Sequence, residues 1–93
     1  MKPQICPICE TPVRPNRRYP RYVCEDCAER AMSAGGRLLE FFNESVSGGY
    51  RARFADDHTD YQSHECYIDG VRCIADEAHF GGIVIEAAVD LHD

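Results

Sequence analysis

Apolar residues in this chain come in short bursts, and most bursts have the two-residue period of a strand rather than the longer period of a helix. The cleanest is Tyr50-Arg51-Ala52-Arg53-Phe54, which sets Tyr50, Ala52 and Phe54 on one face and both arginines on the other. Arg37 to Asn43 carries Leu38, Leu39, Phe41 and Phe42 in a run too short for an independent helix. Tyr61 to Ile68 and Val71 to Asp76 flank Asp69-Gly70, a pair that favours the tight turn of a hairpin. Ile83-Val84-Ile85 follows Gly81-Gly82 and suits a central buried strand. Five strands are thus expected from residue 37 onward. Glu25 to Ala34 is the helix candidate. Glu25, Asp26 and Glu29 come early and Arg30 later, as the helix dipole prefers, and Gly35-Gly36 is placed to stop it.

The hairpin has a predicted register. A two-residue turn at Asp69-Gly70 pairs Ile68 with Val71, Tyr67 with Arg72 and Cys66 with Cys73. Alternation then puts His64, Cys66 and Ile68 on the same face as Val71, Cys73 and Ala75. Three readings fit: two buried thiols on the core face, a cross-strand disulfide, or an open metal site made by His64, Cys66 and Cys73. The apolar company of Ile68, Val71 and Ala75 favours buried thiols. A small enzyme would be built around His64, Cys66, Cys73, Glu77 and His79, with Glu77 and His79 paired as base and orienter. Asp56, Asp57, His58 and Asp60 read first as a polar turn, and only second as a cation or acid–base site.

The first third of the chain carries a different signal. Cys6-Pro7-Ile8-Cys9 is answered after fourteen residues by Cys24-Glu25-Asp26-Cys27. Two Cys-x-x-Cys knuckles at this spacing point to one tetrahedral zinc ion, because each knuckle can turn both sulfurs to a single centre. Four thiolates fill the coordination sphere, so Cys6, Cys9, Cys24 and Cys27 are expected to hold one structural zinc rather than a catalytic one. Between the knuckles, Thr11-Pro12-Val13 is expected to lead out, Arg14 to Pro20 to turn, and Arg21-Tyr22-Val23 to return. Pro12, Pro15 and Pro20 exclude a helix there.

These knuckles resemble those of the zinc-ribbon and treble-clef families, over about a third of the chain. Ribbons often place a glycine directly after a knuckle, where this chain has Glu10 and Ala28. A helix beginning at Glu25 is more similar to a treble clef. The rest of the chain resembles small bacterial proteins of unknown function. The resemblance implies a zinc-stabilised module; such modules serve nucleic-acid binding, protein interaction or scaffolding, so it does not choose among these roles.

Charge narrows the choice. The 93 residues carry a formal charge of −6. Residues 1–37 hold seven Lys/Arg against four Asp/Glu, and residues 38–93 hold three against twelve. The loop with Arg14, Arg17, Arg18 and Arg21, interleaved with Tyr19 and Tyr22, could grip phosphates or stack a base. It stands on a chain whose remaining surface would repel nucleic acid, which makes that partner the second choice. No apolar run is long enough to span a membrane, and the start lacks the apolar core of a signal peptide. Zinc-bound thiolates suit a reducing, cytoplasmic setting.

The expectation is an α+β fold. A zinc module over residues 1–36 with one short helix precedes a small, mostly antiparallel β-body over residues 37–93, packed with it. The expected role is a zinc-binding interaction or scaffold protein that meets a protein partner or a second copy of itself. The alternatives are a nucleic-acid-binding ribbon using the Arg14–Arg21 loop and the small enzyme set out above.

Overall fold

The computed structural model describes residues 4–46, 48–78 and 82–88. Its elements are β1 (Gln4–Ile5), β2 (Pro12–Val13), α1 (Glu25–Ala28), β3 (Leu39–Phe42), β4 (Arg51–Phe54), β5 (Glu65–Ile68), β6 (Val71–Glu77) and β7 (Ile83–Ala87). The fold is α+β, with one short helix and three small antiparallel sheets: β1-β2, β3-β4 and β5-β6-β7. The helix is far too short to cross a membrane, and no described helix is long and apolar enough to do so.

Strands β1 and β2 wrap the first knuckle. Gln4 faces Val13 and Ile5 faces Pro12. Between them the Cys6 N–H donates to the Thr11 carbonyl at 2.8 Å and the Glu10 N–H to the Cys6 carbonyl at 2.9 Å. This tight return needs a left-handed residue, and Glu10 supplies it at φ 66°. The expected pairing of Thr11–Val13 with Arg21–Val23 does not form. The returning segment lies instead along β7, where Tyr22 bridges Glu86, the Val23 N–H donates to the Ile85 carbonyl at 2.9 Å and the Ala87 N–H donates to the Arg21 carbonyl at 3.1 Å. The edge of β7 offers a longer row of unpaired backbone groups than the two-residue β2, and they are satisfied this way.

The helix is also shorter than expected. α1 stops at Ala28, and residues 31–33 leave the helix for a bridge centred on Met32. The reason is a competing ladder. Met32 donates its N–H to Tyr67 at 2.9 Å and accepts the Tyr67 N–H at 2.8 Å, so its backbone belongs to the outer side of β5. On its other side Met32 bridges Leu38, and the Leu39 N–H reaches the Ala31 carbonyl at 2.9 Å. Gly35-Gly36 therefore turns a hairpin-like arm between Ser33 and Arg37 rather than ending a helix. Gly36, at φ 87°, donates to the Ser33 carbonyl.

These bridges join the sheets into a nearly continuous antiparallel run. Residues 59–61 lie beside β4, then come β3, residues 31–33, β5, β6, β7 and residues 21–23. The five expected strands are present, as β3 to β7. Ile83-Val84-Ile85 is not the central strand, however. β6 occupies the middle of its sheet, and β7 is the edge that residues 21–23 cover. Tyr61 serves the β4 side, where its N–H reaches the Ala52 carbonyl, so β5 starts only at Glu65. The run folds back on itself where the Gly82 N–H donates to Asn43 Oδ1 at 2.7 Å, bringing the end of β3 to the start of β7.

The core draws on both sides of residue 36. Cys6, Val23, Cys27 and Ala31 pack with Leu39, Cys66, Ile68, Cys73, Ala75, Ile85 and Ala87. Ile68 is the bulkiest fully buried side chain, and the other large ones are Cys6, Cys27, Cys66 and Cys73. Full burial of an isoleucine contributes about 1.5–3 kcal/mol, and a core this rich in small groups gains little more from each neighbour. Such a chain has physical use for a metal crosslink.

Candidate metal centre

Each knuckle is presented by a different element. β1 delivers Cys6, and the left-handed turn at Glu10 brings Cys9 back beside it. The edge pairing of Val23 on β7 aims Cys24, and the single turn of α1 rotates Cys27 toward the same point. The four sulfurs lie within 4.8 Å of one another. Cys6 Sγ is 3.8 Å from Cys27 Sγ, and Cys9 Sγ is 3.7 Å from Cys24 Sγ. A tetrahedral zinc with Zn–S bonds of about 2.3 Å requires sulfurs about 3.8 Å apart. The donor set fits such an ion in type and number, and these two separations match its spacing.

The site is asymmetric. Cys6 and Cys27 are fully buried, Cys24 is half-buried and Cys9 is exposed. Hydrogen bonds reach most of the sulfurs. Cys6 accepts the N–H groups of Cys24 at 3.3 Å and Ile8 at 3.4 Å. Cys9 lies 3.2 Å from the Thr11 hydroxyl, and the Thr11 side chain and backbone hold its thiol down at about 6. Burial pushes Cys27 up to about 12, although the Arg30 guanidinium, donating to its sulfur at 3.2 Å, pulls the other way. A divalent cation would supply the charge that lets the buried thiols ionise beside Cys9.

The other candidate residues behave differently. Cys66 and Cys73 face each other in the expected register, with Ile68 opposite Val71. Both are fully buried free thiols rather than a disulfide, and His64 is not drawn to ligand spacing with them. Burial raises them to about 12 and about 11. His64 stacks on Tyr50 at 4.0 Å between centroids, and its Nδ1 lies 2.7 Å from the Ala75 carbonyl. Glu77 accepts the Gly49 N–H at 2.8 Å. His79 lies outside the described residues. Among the described residues, the four cysteines are the one group of His, Cys, Asp and Glu side chains drawn together at ligand spacing.

The acidic turn and the arginine loop are also accounted for. Asp56 and Asp57 pair with Arg37, and Asp60 pairs with Arg51. His58 turns the chain at φ 63°. Arg14, Arg17, Arg18 and Arg21 are all exposed, and Arg21 also donates from Nε to the Ala87 carbonyl at 3.3 Å. Sequence reasoning missed Arg30 as a partner of the cluster. Its place three residues after Cys27, where a helical turn brings the two side chains together, was the available signal.

The chain matches no protein-family model, no curated protein and no solved structure.

Proposed function

We propose that this protein is a small interaction or scaffold domain whose fold is held by one structural zinc on Cys6, Cys9, Cys24 and Cys27. The observation that carries the reading is the cluster of four sulfurs, all within 4.8 Å of one another, with Cys9–Cys24 at 3.7 Å and Cys6–Cys27 at 3.8 Å. Zinc is favoured among divalent ions because four thiolates are soft donors and the d10 ion has no geometric preference of its own. With no position left open, the ion would crosslink the chain and activate no water.

A protein surface is the partner class that suits the remaining features. The body beyond residue 37 is acidic. Met32, Leu38 and Tyr67 line a mostly apolar groove of about 640 Å³, with Arg30 and Asp69 at its side. Leu38 and Val71 stay more than a third exposed beside or near it. Apolar groups on a charged surface are what a protein contact buries.

Elemental analysis of purified chain tests the metal. One zinc per chain, lost in Cys24→Ser, is the expected result; a folded, metal-free wild type would reject it. Light scattering across a concentration series, with the Leu38→Asp variant alongside, tests association with a second copy. A monomer at every concentration would leave only a different protein as the partner.

A further inference from the structure

We infer that Arg30 is a positioning residue of the metal centre, tuning the Cys27 thiolate while Asp69 holds the guanidinium in place. The inference rests on the metal reading above and concerns the region around the four ligands.

Arg30 follows α1, with its N–H on the Cys27 carbonyl at 2.9 Å. Its side chain therefore turns back over the helix end. One guanidinium nitrogen, Nη2, donates to Cys27 Sγ at 3.2 Å. The other, Nη1, meets both carboxylate oxygens of Asp69 at 2.7 and 2.9 Å. A planar fork can serve two anionic partners at fixed separation, which a lysine ammonium cannot reproduce. Asp69 is itself fixed, because it sits at φ 50° in the hairpin turn with Gly70 at φ 81°. The turn between β5 and β6 thus aims a carboxylate at Arg30, and Arg30 aims a donor at a ligand sulfur.

The electrostatics give this contact a purpose. Four thiolates around a divalent cation leave a net charge of −2. Cys27 is fully buried, so water does not share its charge. Cys6 has two backbone N–H donors and Cys9 has Thr11. For Cys27 the donor is a cation, which neutralises charge as well as bonding. Partners that orient and polarise metal ligands commonly affect affinity by 10–100-fold. Arg30 is half-exposed, so the lower part of that range applies.

The test uses full-length wild type, Arg30→Ala, Arg30→Lys, Asp69→Asn and, as a control for lost charge elsewhere, Arg51→Ala. Zinc release to an excess of a chromogenic chelator is followed in each. Arg30→Ala should release zinc about tenfold faster than wild type. Arg30→Lys and Asp69→Asn should lie between the two, and Arg51→Ala should match wild type. Cobalt-substituted protein gives a readout that general destabilisation would not move. Losing a donor to sulfur raises the energy of the thiolate electrons, so the sulfur-to-cobalt charge-transfer band should shift to longer wavelength in Arg30→Ala and less in Arg30→Lys. Release rates and band positions equal to wild type in all three variants would overturn the inference while leaving the zinc site intact. A wild type that binds neither ion would overturn both. If Arg30→Ala does not fold, Arg30→Lys and Asp69→Asn decide alone.

Discussion

Met32 and Tyr67 exchange both of their backbone hydrogen bonds, at 2.9 and 2.8 Å, and this pair ties the segment after the second knuckle to the outer side of β5. Met32 also bridges Leu38, so one residue joins the β3-β4 pair to the three-stranded sheet. Met32→Pro should therefore be costly, because proline has no N–H and leaves the Tyr67 carbonyl unpaired. A loss of about 2–3 kcal/mol is expected, against about 1 kcal/mol or less for Met32→Leu, which keeps both bonds. Urea unfolding of both variants measures this. Equal stability of the two would show that the bridge contributes nothing.

Metal removal should be felt well beyond the knuckles. Cys6 and Cys27 belong to the same core as Ile68 and Ile85, and residues 21–23 and 31–33 flank the three-stranded sheet. Stripping the metal with a chelator under reducing conditions should reduce amide protection in β5 and β7, not only in residues 4–32. Metal-induced folding is the general behaviour of such sites. Unchanged protection of β5 to β7 in the stripped chain would contradict this coupling.

The buried thiol pair sets an alkaline limit. Cys66 is raised to about 12 by burial, with Cys73 and Glu65 adding to it, from an ordinary value near 9. The folded state thus keeps a proton that the unfolded state gives up. The associated stability is fully present below about pH 9 and is lost as pH rises toward 12. Cys66→Ala should lower stability at pH 7 by about 1–2 kcal/mol through lost burial, and should weaken the further decline above pH 9. Denaturation midpoints from pH 7 to 10.5 would show the two curves converging. Parallel curves would mean that Cys66 does not titrate as its surroundings dictate.

Glu10 holds a left-handed conformation at φ 66° just after Cys9. That conformation costs a residue with a side chain about 1–2 kcal/mol, and glycine escapes it at an entropic cost of about 0.5–1 kcal/mol. Glu10→Gly should therefore equal or slightly exceed wild type in stability, while Glu10→Val should fall about 1–2 kcal/mol below it. Thermal unfolding of the metal-loaded variants gives the order. A valine variant as stable as the glycine one would mean the knuckle relaxes without strain.

Nucleic acid should bind weakly. The exposed pair Arg17 and Arg18 stands against a chain of formal charge −6. Labelled single- and double-stranded oligonucleotides at about 150 mM salt should show Kd values no tighter than the non-specific range of about 10⁻⁴ to 10⁻⁶ M. Sub-micromolar binding that disappears in Arg17→Ala/Arg18→Ala would make the arginine loop the working surface.

The features that the sequence determined by itself are those set by local spacing. Two residues between paired cysteines put their sulfurs together whatever lies around them, so the four-cysteine cluster was legible. The period-two pattern at Tyr50–Phe54 and the Asp69-Gly70 turn defined strands, and the turn fixed Cys66 opposite Cys73. Tertiary structure decided which edge each segment would satisfy. Glu25 to Ala34 has the composition of a helix, yet β5 takes the backbone of Met32 and holds the helix to one turn. Arg21–Val23 looks like a hairpin arm, yet the exposed edge of β7, more than 60 residues later, takes it. Arg30 and Asp69 are 39 residues apart, and their contact exists only because α1 and the β5–β6 turn meet over Cys27. Backbone groups must find partners somewhere, and local propensity differences of a few tenths of a kcal/mol per residue yield to a hydrogen-bonded edge brought near by folding.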